Sequence, residues 1–214
     1  MLPQEYIMFV KYPRTPHLPW SPGTTDDDRI LRDLSHFNGK RVVITKKMDG
    51  ENTTMYSNHI HARSLDSKGG IDRDWVKTMW SGFAHDIPQN WRICGENLWA
   101  RHSIAYEELP SYFMAFSIWN ETNVCLGWDD TVQFCALLGI EHVPVIYDDM
   151  WDEVFTRSLH NSLDPEKDEG FVVRLADRFH YDNFGTSVAK YVRKGHVQTD
   201  KHWRHQEIIP NGLK

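Results

Sequence analysis

A β-branched run that ends in two lysines and an Asp-Gly pair constrains the fold of this chain more than any other stretch. Residues 42–45, Val-Val-Ile-Thr, predict a buried strand. Lys46 and Lys47 follow it, and the Asp-Gly pair at 49–50 predicts a tight turn before a second strand at 53–56. A lysine at a strand end is expected to lose part of its hydration, which lowers its pKa and makes the amine more nucleophilic. The same string also fits a plain β-hairpin, because Asp-Gly is a common hairpin turn.

Three further charged residues lie in or at the start of mostly apolar, strand-like runs. They are Glu96, Glu169 and Lys190. Charges in such surroundings are costly unless they are paired or functional. With Lys47 they are expected either to pair with one another or to bind a metal-bound nucleotide together.

The Pro-rich N-terminal segment, residues 1–40, is expected to contain little regular structure at first. The prolines between residues 12 and 23 remove hydrogen-bond donors and fix φ, which excludes a regular helix or a central strand there. Two interpretations stay open: a packed surface loop, or a lid over a substrate site. The three aspartates at 26–28 then predict the start of a short helix that reaches Leu34.

Strands and helices alternate irregularly in the rest of the chain. Strands are predicted over residues 91–99, 112–119, 143–147, 169–174 and 188–194, and helices over residues 72–85, 129–138 and 148–159. Asp129 and Asp130 are expected to cap the second helix, which Gly139 ends.

One short strand places three polar side chains, His59, His61 and Arg63, on the same face of a sheet. Two histidines at this spacing fit a metal site, but no third ligand stands nearby, so a polar sheet face is the preferred interpretation. Arg63, at the strand's end, is a candidate for holding a phosphate or a ribose.

Charge and cysteine content exclude several protein classes. The formal net charge of −6 does not indicate nucleic-acid binding by the whole chain. The basic C-terminal tail, residues 187–214, carries six lysines or arginines against two acidic residues, so it is either a phosphate-facing surface or a solvated end. The three cysteines form no Cys-x-x-Cys pair, which argues against a zinc ribbon or a disulfide scaffold and favours a reducing cytoplasm. We expect no signal peptide and no membrane span.

In this order the charged residues resemble the covalent nucleotidyltransferase superfamily of ATP-dependent DNA and RNA ligases and mRNA capping enzymes. The resemblance is greatest to the RNA ligase family, in its RNA ligase 2-like branch, and covers residues 42–194. The matching stretches are residues 47–50 (motif I), 63–64 (motif Ia), 95–98 (motif III), Phe116 (the motif IIIa aromatic), 169–173 (motif IV) and 188–192 (motif V).

The resemblance implies a reaction in three steps. Lys47 would attack the α-phosphate of ATP, the AMP would pass from the lysine to a 5′-phosphate end of RNA, and a 3′-hydroxyl would displace it and seal the strand. Mg²⁺ or Mn²⁺ would neutralise the phosphates, with Glu169 as a metal ligand, and Lys190 would contact the α-phosphate. The remaining nucleotide-binding residues implied are Lys46, Asp49, Arg63, Glu96 and Phe116. Glu96 would bind a ribose hydroxyl, Phe116 would stack on adenine, and Lys46 would lie near the purine edge and help to lower the pKa of Lys47.

The sequence departs from the superfamily pattern after Lys190. Val192 stands where a second motif V lysine is usual, so Arg193 or Lys194 is expected to replace it. The short remainder leaves no room for an OB domain, which argues against capping. RNA-end recognition is then left to the core, to the N-terminal segment and to basic residues near the C-terminus. The basic residues proposed for RNA contact are Arg193, Lys194, Lys201 and Arg204.

The expected fold is α+β: a twisted, largely antiparallel two-sheet nucleotidyltransferase core of the ATP-grasp-like ligase type. Helices would lie outside, the nucleotide would bind between the sheets, and residues 1–214 would form one domain. The expected function is ATP-dependent RNA ligation by a cytoplasmic monomer. A minimal ligase for DNA or mixed nicks and a catalytically silent nucleotide- or RNA-binding module are the alternatives.

Overall fold

Two β-sheets form the centre of the computed structural model, which describes residues 9–25, 27–66, 70–195 and 208–214. The described strands are β1 (Arg41–Lys47), β2 (Glu51–Met55), β3 (Ile60–Ala62), β4 (Arg92–Asn97), β5 (Phe113–Trp119), β6 (Val124–Cys125), β7 (Glu141–His142), β8 (Val145–Met150), β9 (Gly170–Leu175), β10 (Phe179–His180) and β11 (Val188–Val192). The described α-helices are α1 (Asp74–Phe83), α2 (Trp128–Leu138), α3 (Glu153–Ser158) and α4 (Phe184–Ser187). Short 3₁₀ turns lie at Ser35–Phe37, Ile71–Arg73, Ala84–Asp86, Leu159–Ser162 and Tyr181–Asn183.

The first sheet, formed by four of the described strands, runs in the order β11-β9-β1-β8 and is antiparallel throughout. Its register places Lys47 opposite Gly170 and Lys190 opposite Val172. The sheet therefore brings residues from the start and the end of the chain onto neighbouring strands.

The second sheet, formed by seven of the described strands, runs β10-β6-β5-β4-β2-β3, and β7 pairs in parallel with β5. Its other pairings are antiparallel. Gly95 allows β4 and β5 to pack closely, because a Cβ there would overlap the Phe113 ring. The expected two-sheet α+β fold is therefore confirmed.

One face of the four-stranded sheet packs into a hydrophobic core. Its residues alternate along each strand, as the two-residue period of a strand requires. They are Val42 and Ile44 on β1, Phe171 and Val173 on β9, and Ala189 and Tyr191 on β11. Helices α1 and α2 pack against the second sheet and share another cluster with Ile93, Phe113 and Ile118. The apolar side chains of α1 thus belong to the core.

The helix predicted to begin at the three aspartates is wrong. Asp27 lies in a turn, Ile30 forms an isolated bridge with His17, and Leu31 N donates to His17 O at 2.8 Å, so the backbone there bonds to His17 and not within a helix. The helix predicted over residues 148–159 starts too early. Asp148 and Asp149 lie in β8, opposite Val43 and Val42, and α3 begins only at Glu153.

Helix α2 ends where predicted and begins one residue earlier, at Trp128, but it lacks the predicted cap. Gly127 is the N-terminal cap residue, and neither aspartate caps the helix through its side chain. Asp129 instead pairs with Arg41 of β1 at 2.7 Å. Gly139 ends the helix in the left-handed conformation, with φ of 65°, as predicted.

None of the helices in the described residues combines the length and the apolar composition that a membrane span requires.

Candidate active site

The Asp-Gly turn joins two sheets and is not a hairpin. β1 belongs to the four-stranded sheet, whereas β2 belongs to the other, so residues 48–50 carry the chain from one sheet to the next. Gly50 fits there because any Cβ would overlap the carbonyl oxygen of Asn97. Lys47, the last residue of β1, therefore lies where the sheets meet.

A cavity of about 450 Å³ opens between the sheets. Apart from Lys46 near the end of β1, the lining residues from the four-stranded sheet alternate with the core residues: Thr45 and Lys47 on β1, Val172 and Arg174 on β9, Val188 and Lys190 on β11. Other lining residues are Tyr12, Arg14, Thr25, Asp28, Lys46, Asn52, Arg63, Glu96 and Phe116. The structure thus brings together six of the predicted site residues: Lys46, Lys47, Arg63, Glu96, Phe116 and Lys190.

Lys47 forms an ion pair with Glu169. Its Nζ lies 2.6 Å from Glu169 Oε2, and the two side chains are 25% and 6% exposed. Burial lowers the pKa of Lys47, but the nearby carboxylates of Glu169, Glu96 and Asp49 outweigh burial and raise it above its usual value. The expected lowering of this pKa is therefore wrong for the unliganded protein, because three segments each bring a carboxylate toward the amine.

Lys46 points to a different carboxylate. Its Nζ lies 2.8 Å from Asp168 Oδ1, and its side chain is about half exposed, at 45%. Asp168 also accepts a hydrogen bond from Asp164 N at 2.9 Å, so the carboxylate is held within its own loop. Consecutive lysines thus contact consecutive acidic residues, Asp168 and Glu169.

Glu96 lies on β4, opposite Asn52 of β2 in the second sheet. Burial raises its pKa to about 8, the negative charges of Glu169 and Asp49 add to the effect, and Lys47 opposes it. With a pKa of about 8, the Glu96 carboxyl is mostly protonated at pH 7.

Asp49 is turned away from the cavity. Its Oδ2 accepts hydrogen bonds from Ser103 N at 2.7 Å and Ile104 N at 2.9 Å, and its own N–H donates to Tyr106 Oη at 3.0 Å. This carboxylate fixes the loop after β4 and does not line the cavity, although its charge reaches Lys47.

Arg63 and Phe116 lie on the second sheet's side of the cavity. Arg63 Nε is buried with no hydrogen-bond partner among the described residues, and burial together with the charge of Arg14 lowers its pKa. Arg63 lines the cavity, and a guanidinium group there suits an anion. The Phe116 ring packs edge-on against Tyr12, with ring centroids 5.1 Å apart.

Comparison with protein families gives a clear result. The family model described as RNA ligase matches residues 40–192, which span β1 to β11. The chain belongs to the RNA ligase family. The resemblance inferred from the motifs is thus confirmed. No curated protein sequence matches the chain significantly.

Several solved structures of Naegleria gruberi RNA ligase share the fold of this RNA ligase family member. A ligand-free variant gives a TM-score of 0.57 at 17% identity, over 77% of this chain and 52% of that one. The structure with pyrophosphate gives 0.55 at 18% identity, over 77% and 53%. A variant with ATP and Mn gives 0.56 at 14% identity, over 88% and 62%. The chain spans about half the length of most of these ligase chains.

The four residues predicted to contact RNA differ in their positions. Arg193 Nε donates to the carbonyl oxygen of Asp168 at 2.8 Å, so the arginine supports the loop before β9. Lys194 is exposed, and neither residue lines the cavity. Lys201 and Arg204 lie outside the described residues.

Two groups of cavity residues were missed from the sequence of this ligase family member. Arg174 shares a strand face with Val172, so the two-residue alternation of β9 would have found it. Its guanidinium donates to Phe116 O at 3.2 Å and Leu126 O at 2.8 Å and so ties the two sheets together. The other group belongs to the Pro-rich segment: a lid over a substrate site was one interpretation of this segment, but no local periodicity marks its individual lining residues.

The carboxylates present fit one mode of metal binding. Among the described residues, no group of three or more histidines, cysteines or acidic residues could hold a metal ion. Mg²⁺ in nucleotide sites is usually held by one or two carboxylates together with substrate phosphates and water. Glu169 is not among the lining residues, but it is buried and pairs with Lys47, which lines the cavity, so it suits that mode.

Proposed function

We propose that this RNA ligase family member is an ATP-dependent ligase that joins 5′-phosphate and 3′-hydroxyl ends of RNA. It would do so through a lysyl-AMP intermediate on Lys47 and an adenylylated RNA end. The observation that carries the proposal is the position of Lys47: at the junction of the two sheets, in the wall of a cavity that Lys190, Glu96, Arg63 and Phe116 also line. The ligase of Naegleria gruberi with the same fold has been solved with ATP and Mn, which supports ATP and a divalent cation as ligands here.

In this mechanism Lys47 Nζ attacks the α-phosphorus of ATP and pyrophosphate leaves. The Lys47 ammonium is held by Glu169 in the unliganded protein, so the amine becomes nucleophilic only after that ion pair opens and a proton leaves. A divalent cation bound with ATP would supply positive charge to the phosphates and to the Glu169 carboxylate. Lys190 would stabilise negative charge at the α-phosphate.

The other lining residues would orient the nucleotide. Phe116 offers a ring for stacking on adenine, and Glu96 offers a carboxyl group to a ribose hydroxyl. Arg63, with its unpartnered Nε, would bind the ribose or the RNA end. Lys46 would lie near the purine edge. We also propose that the protein acts as a monomer in the cytoplasm.

The test is the intact mass of the protein after incubation with ATP and magnesium. The sample is first treated with pyrophosphate, which reverses adenylylation, so that any AMP already bound is removed. We expect a gain of one AMP per chain, lost in Lys47→Ala and retained in the variant Lys194→Ala, whose lysine is exposed and does not line the cavity. A gain in Lys47→Ala would show that the nucleophile is another residue.

The acceptor is tested separately with 5′-phosphorylated nicks in RNA, DNA and mixed duplexes. Sealing of RNA 3′-hydroxyl ends in preference to DNA ends supports the proposal. Preference for DNA ends would move the function to a minimal nick ligase, and a folded protein that never gains AMP would be a binding module.

A further inference from the structure

The Pro-rich segment pairs with the free edge of β11 at Lys190. The N–H of Lys190 donates to Pro16 O at 2.9 Å, and its carbonyl oxygen accepts from Leu18 N at 2.8 Å. His17, between them, donates its N–H to Arg29 O at 2.6 Å. Residues 16–18 therefore bond to the backbone of Lys190 on both sides and also to residues 29–31 of the same segment.

Asp28, from the same segment, faces the side chain of Lys190. Its Oδ1 lies 3.8 Å from Lys190 Nζ. Among the described residues, Asp28 is the one acidic residue within 4 Å of that ammonium group. Both side chains are partly buried, at 21% exposed for Lys190 and 25% for Asp28, and both line the cavity.

The other carboxylate oxygen of Asp28 is anchored independently of Lys190. Oδ2 accepts hydrogen bonds from Thr25 N at 3.0 Å and Thr25 Oγ1 at 2.9 Å, and it lies 3.4 Å from His17 Nε2. His17 is 1% exposed, and its Nδ1 lies 2.8 Å from Ser21 Oγ, which accepts a hydrogen bond from Val192 N at 2.9 Å. Asp28 is thus fixed to β11 through its own loop.

His17 leaves the charge of Asp28 available. Burial and, after it, the positive charge of Lys190 lower the pKa of His17 to about 4, although Asp28 opposes them. The imidazole is therefore neutral at pH 7, and the Asp28 carboxylate keeps its negative charge for Lys190.

We propose that Asp28 is a positioning residue for Lys190: it orients the ammonium group toward the α-phosphate, so that the N-terminal segment forms part of the catalytic apparatus. This inference rests on the proposed function of Lys190. An ammonium has three N–H donors, so Lys190 can contact Asp28 and a phosphate at once.

The test compares Asp28→Asn with the matched variant Asp33→Asn. Asparagine keeps an acceptor for Thr25 and removes the charge. Asp33 lies on the same segment, outside the cavity, and has the equivalent turn hydrogen bond to Ser35 N. Circular dichroism checks that both variants fold.

The first readout does not need ligase activity. The amine of Lys190 is labelled competitively across a pH series, and its titration is read by peptide mass spectrometry. The charged groups that affect Lys190 are Asp28 on the N-terminal segment, Lys47 on β1, Glu169 before β9 and Arg63 after β3. Burial already lowers the pKa of Lys190, and Asp28 opposes that effect. Asp28→Asn should lower the pKa of Lys190 by about 1, and Asp33→Asn should leave the pKa of Lys190 unchanged. An equal titration in all three proteins overturns the proposal.

The second readout is the pH profile of adenylylation. In Asp28→Asn its alkaline limb should move to lower pH by about the same amount as the Lys190 titration, and Asp28→Glu should move it back. If Asp28→Asn shifts the titration of Lys190 but not the pH profile of adenylylation, the positioning role is overturned. Wild-type protein that never gains AMP would overturn the proposed function itself and, with it, the role of Asp28 in that reaction, whereas the lysine titration would still decide whether Asp28 holds Lys190.

Discussion

The two sides of the cavity are held in place by different means. On the four-stranded sheet, Lys47 and Lys190 are placed by strand register, each two residues from another lining residue on its own strand. On the N-terminal segment, Asp28 is placed by hydrogen bonds from Thr25 and by the pairing of His17 with Lys190. The first arrangement is set by a repeating backbone pattern and the second by individual side chains.

This difference predicts how each side responds to substitution. A change that disturbs strand register should move several lining residues together and cost much stability. A change on the segment should act on one contact and leave the sheets intact. The predictions below separate these responses.

Gly170→Ala should have the largest effect, because it acts on the backbone of the sheet. A Cβ at this position would overlap the carbonyl oxygen of Tyr191 on the neighbouring strand. Forcing the strands apart should lower the free energy of unfolding by about 3 kcal/mol, measured by urea unfolding.

Gly82→Ala is the control for that change. Gly82 lies within α1, and a Cβ there meets nothing within 4 Å. Because alanine favours the helix, the free energy of unfolding of this variant should rise by about 0.5–1 kcal/mol. Equal effects of the two substitutions would show that β9 and β11 are not packed as described.

Lys190→Ala should have the next largest effect, on chemistry and not on folding. Under the proposed mechanism Lys190 stabilises charge at the α-phosphate, so its removal should slow adenylylation by about 10²-fold or more, measured in a single turnover with radiolabelled ATP. The unfolding temperature should change little, since the side chain lines a cavity.

Lys194→Ala tests whether a later residue replaces the second lysine of motif V. Lys194 is exposed and does not line the cavity, so adenylylation should stay within about twofold of wild type. A loss as large as that of Lys190→Ala would mean that the tail closes over the nucleotide.

The same difference explains what sequence reasoning could find. Strand alternation and the order of motifs located Lys47, Glu96 and Lys190, because each lies in a strand whose period is visible in the sequence. The two-sheet fold was expected from the resemblance to the RNA ligase family. Strands β4, β5, β9 and β11 begin and end within two residues of the predicted runs.

What sequence reasoning missed depends on contacts between distant segments. Asp-Gly fits a hairpin locally, and only the sheet assignment of β2 shows that the turn crosses between sheets. The pKa of Lys47 was expected to fall, because the approach of Glu169, Glu96 and Asp49 cannot be read from local sequence. The role of Asp28 was hidden for the same reason: its run of aspartates predicts a helix start.

Glu96→Gln should have a smaller effect, visible in the pH dependence of stability. The folded-state pKa of Glu96 is raised from 4.5 to about 8. Stability from this group is therefore fully present below pH 4.5 and is lost as the pH rises toward 8. Glutamine mimics the neutral carboxyl, so the unfolding temperature of Glu96→Gln should rise relative to wild type as the pH increases through this range.

The exposed variant Glu108→Gln is the control for that prediction. Its unfolding temperature should follow that of wild type across the same pH range, because Glu108 lies in solvent. Parallel curves for wild type and Glu96→Gln would mean that Lys47 keeps Glu96 ionised.

Arg14→Ala should have the smallest effect, confined to the acceptor strand. Arg14 is exposed at the cavity, and its charge is close enough to lower the pKa of Arg63. We expect these two guanidinium groups to bind one RNA phosphate together. The loss of Arg14 should therefore weaken RNA-end binding by about 3- to 10-fold and reduce the slope of log affinity against log salt concentration by about 1. Adenylylation in the absence of RNA should not change. Fluorescence anisotropy with a 5′-phosphorylated RNA at several salt concentrations measures the first effect, and intact mass measures the second.

If Arg14→Ala slowed adenylylation as Lys190→Ala is expected to, the segment would act on the nucleotide as directly as the sheet does, and the contrast between the two sides of the cavity would fail.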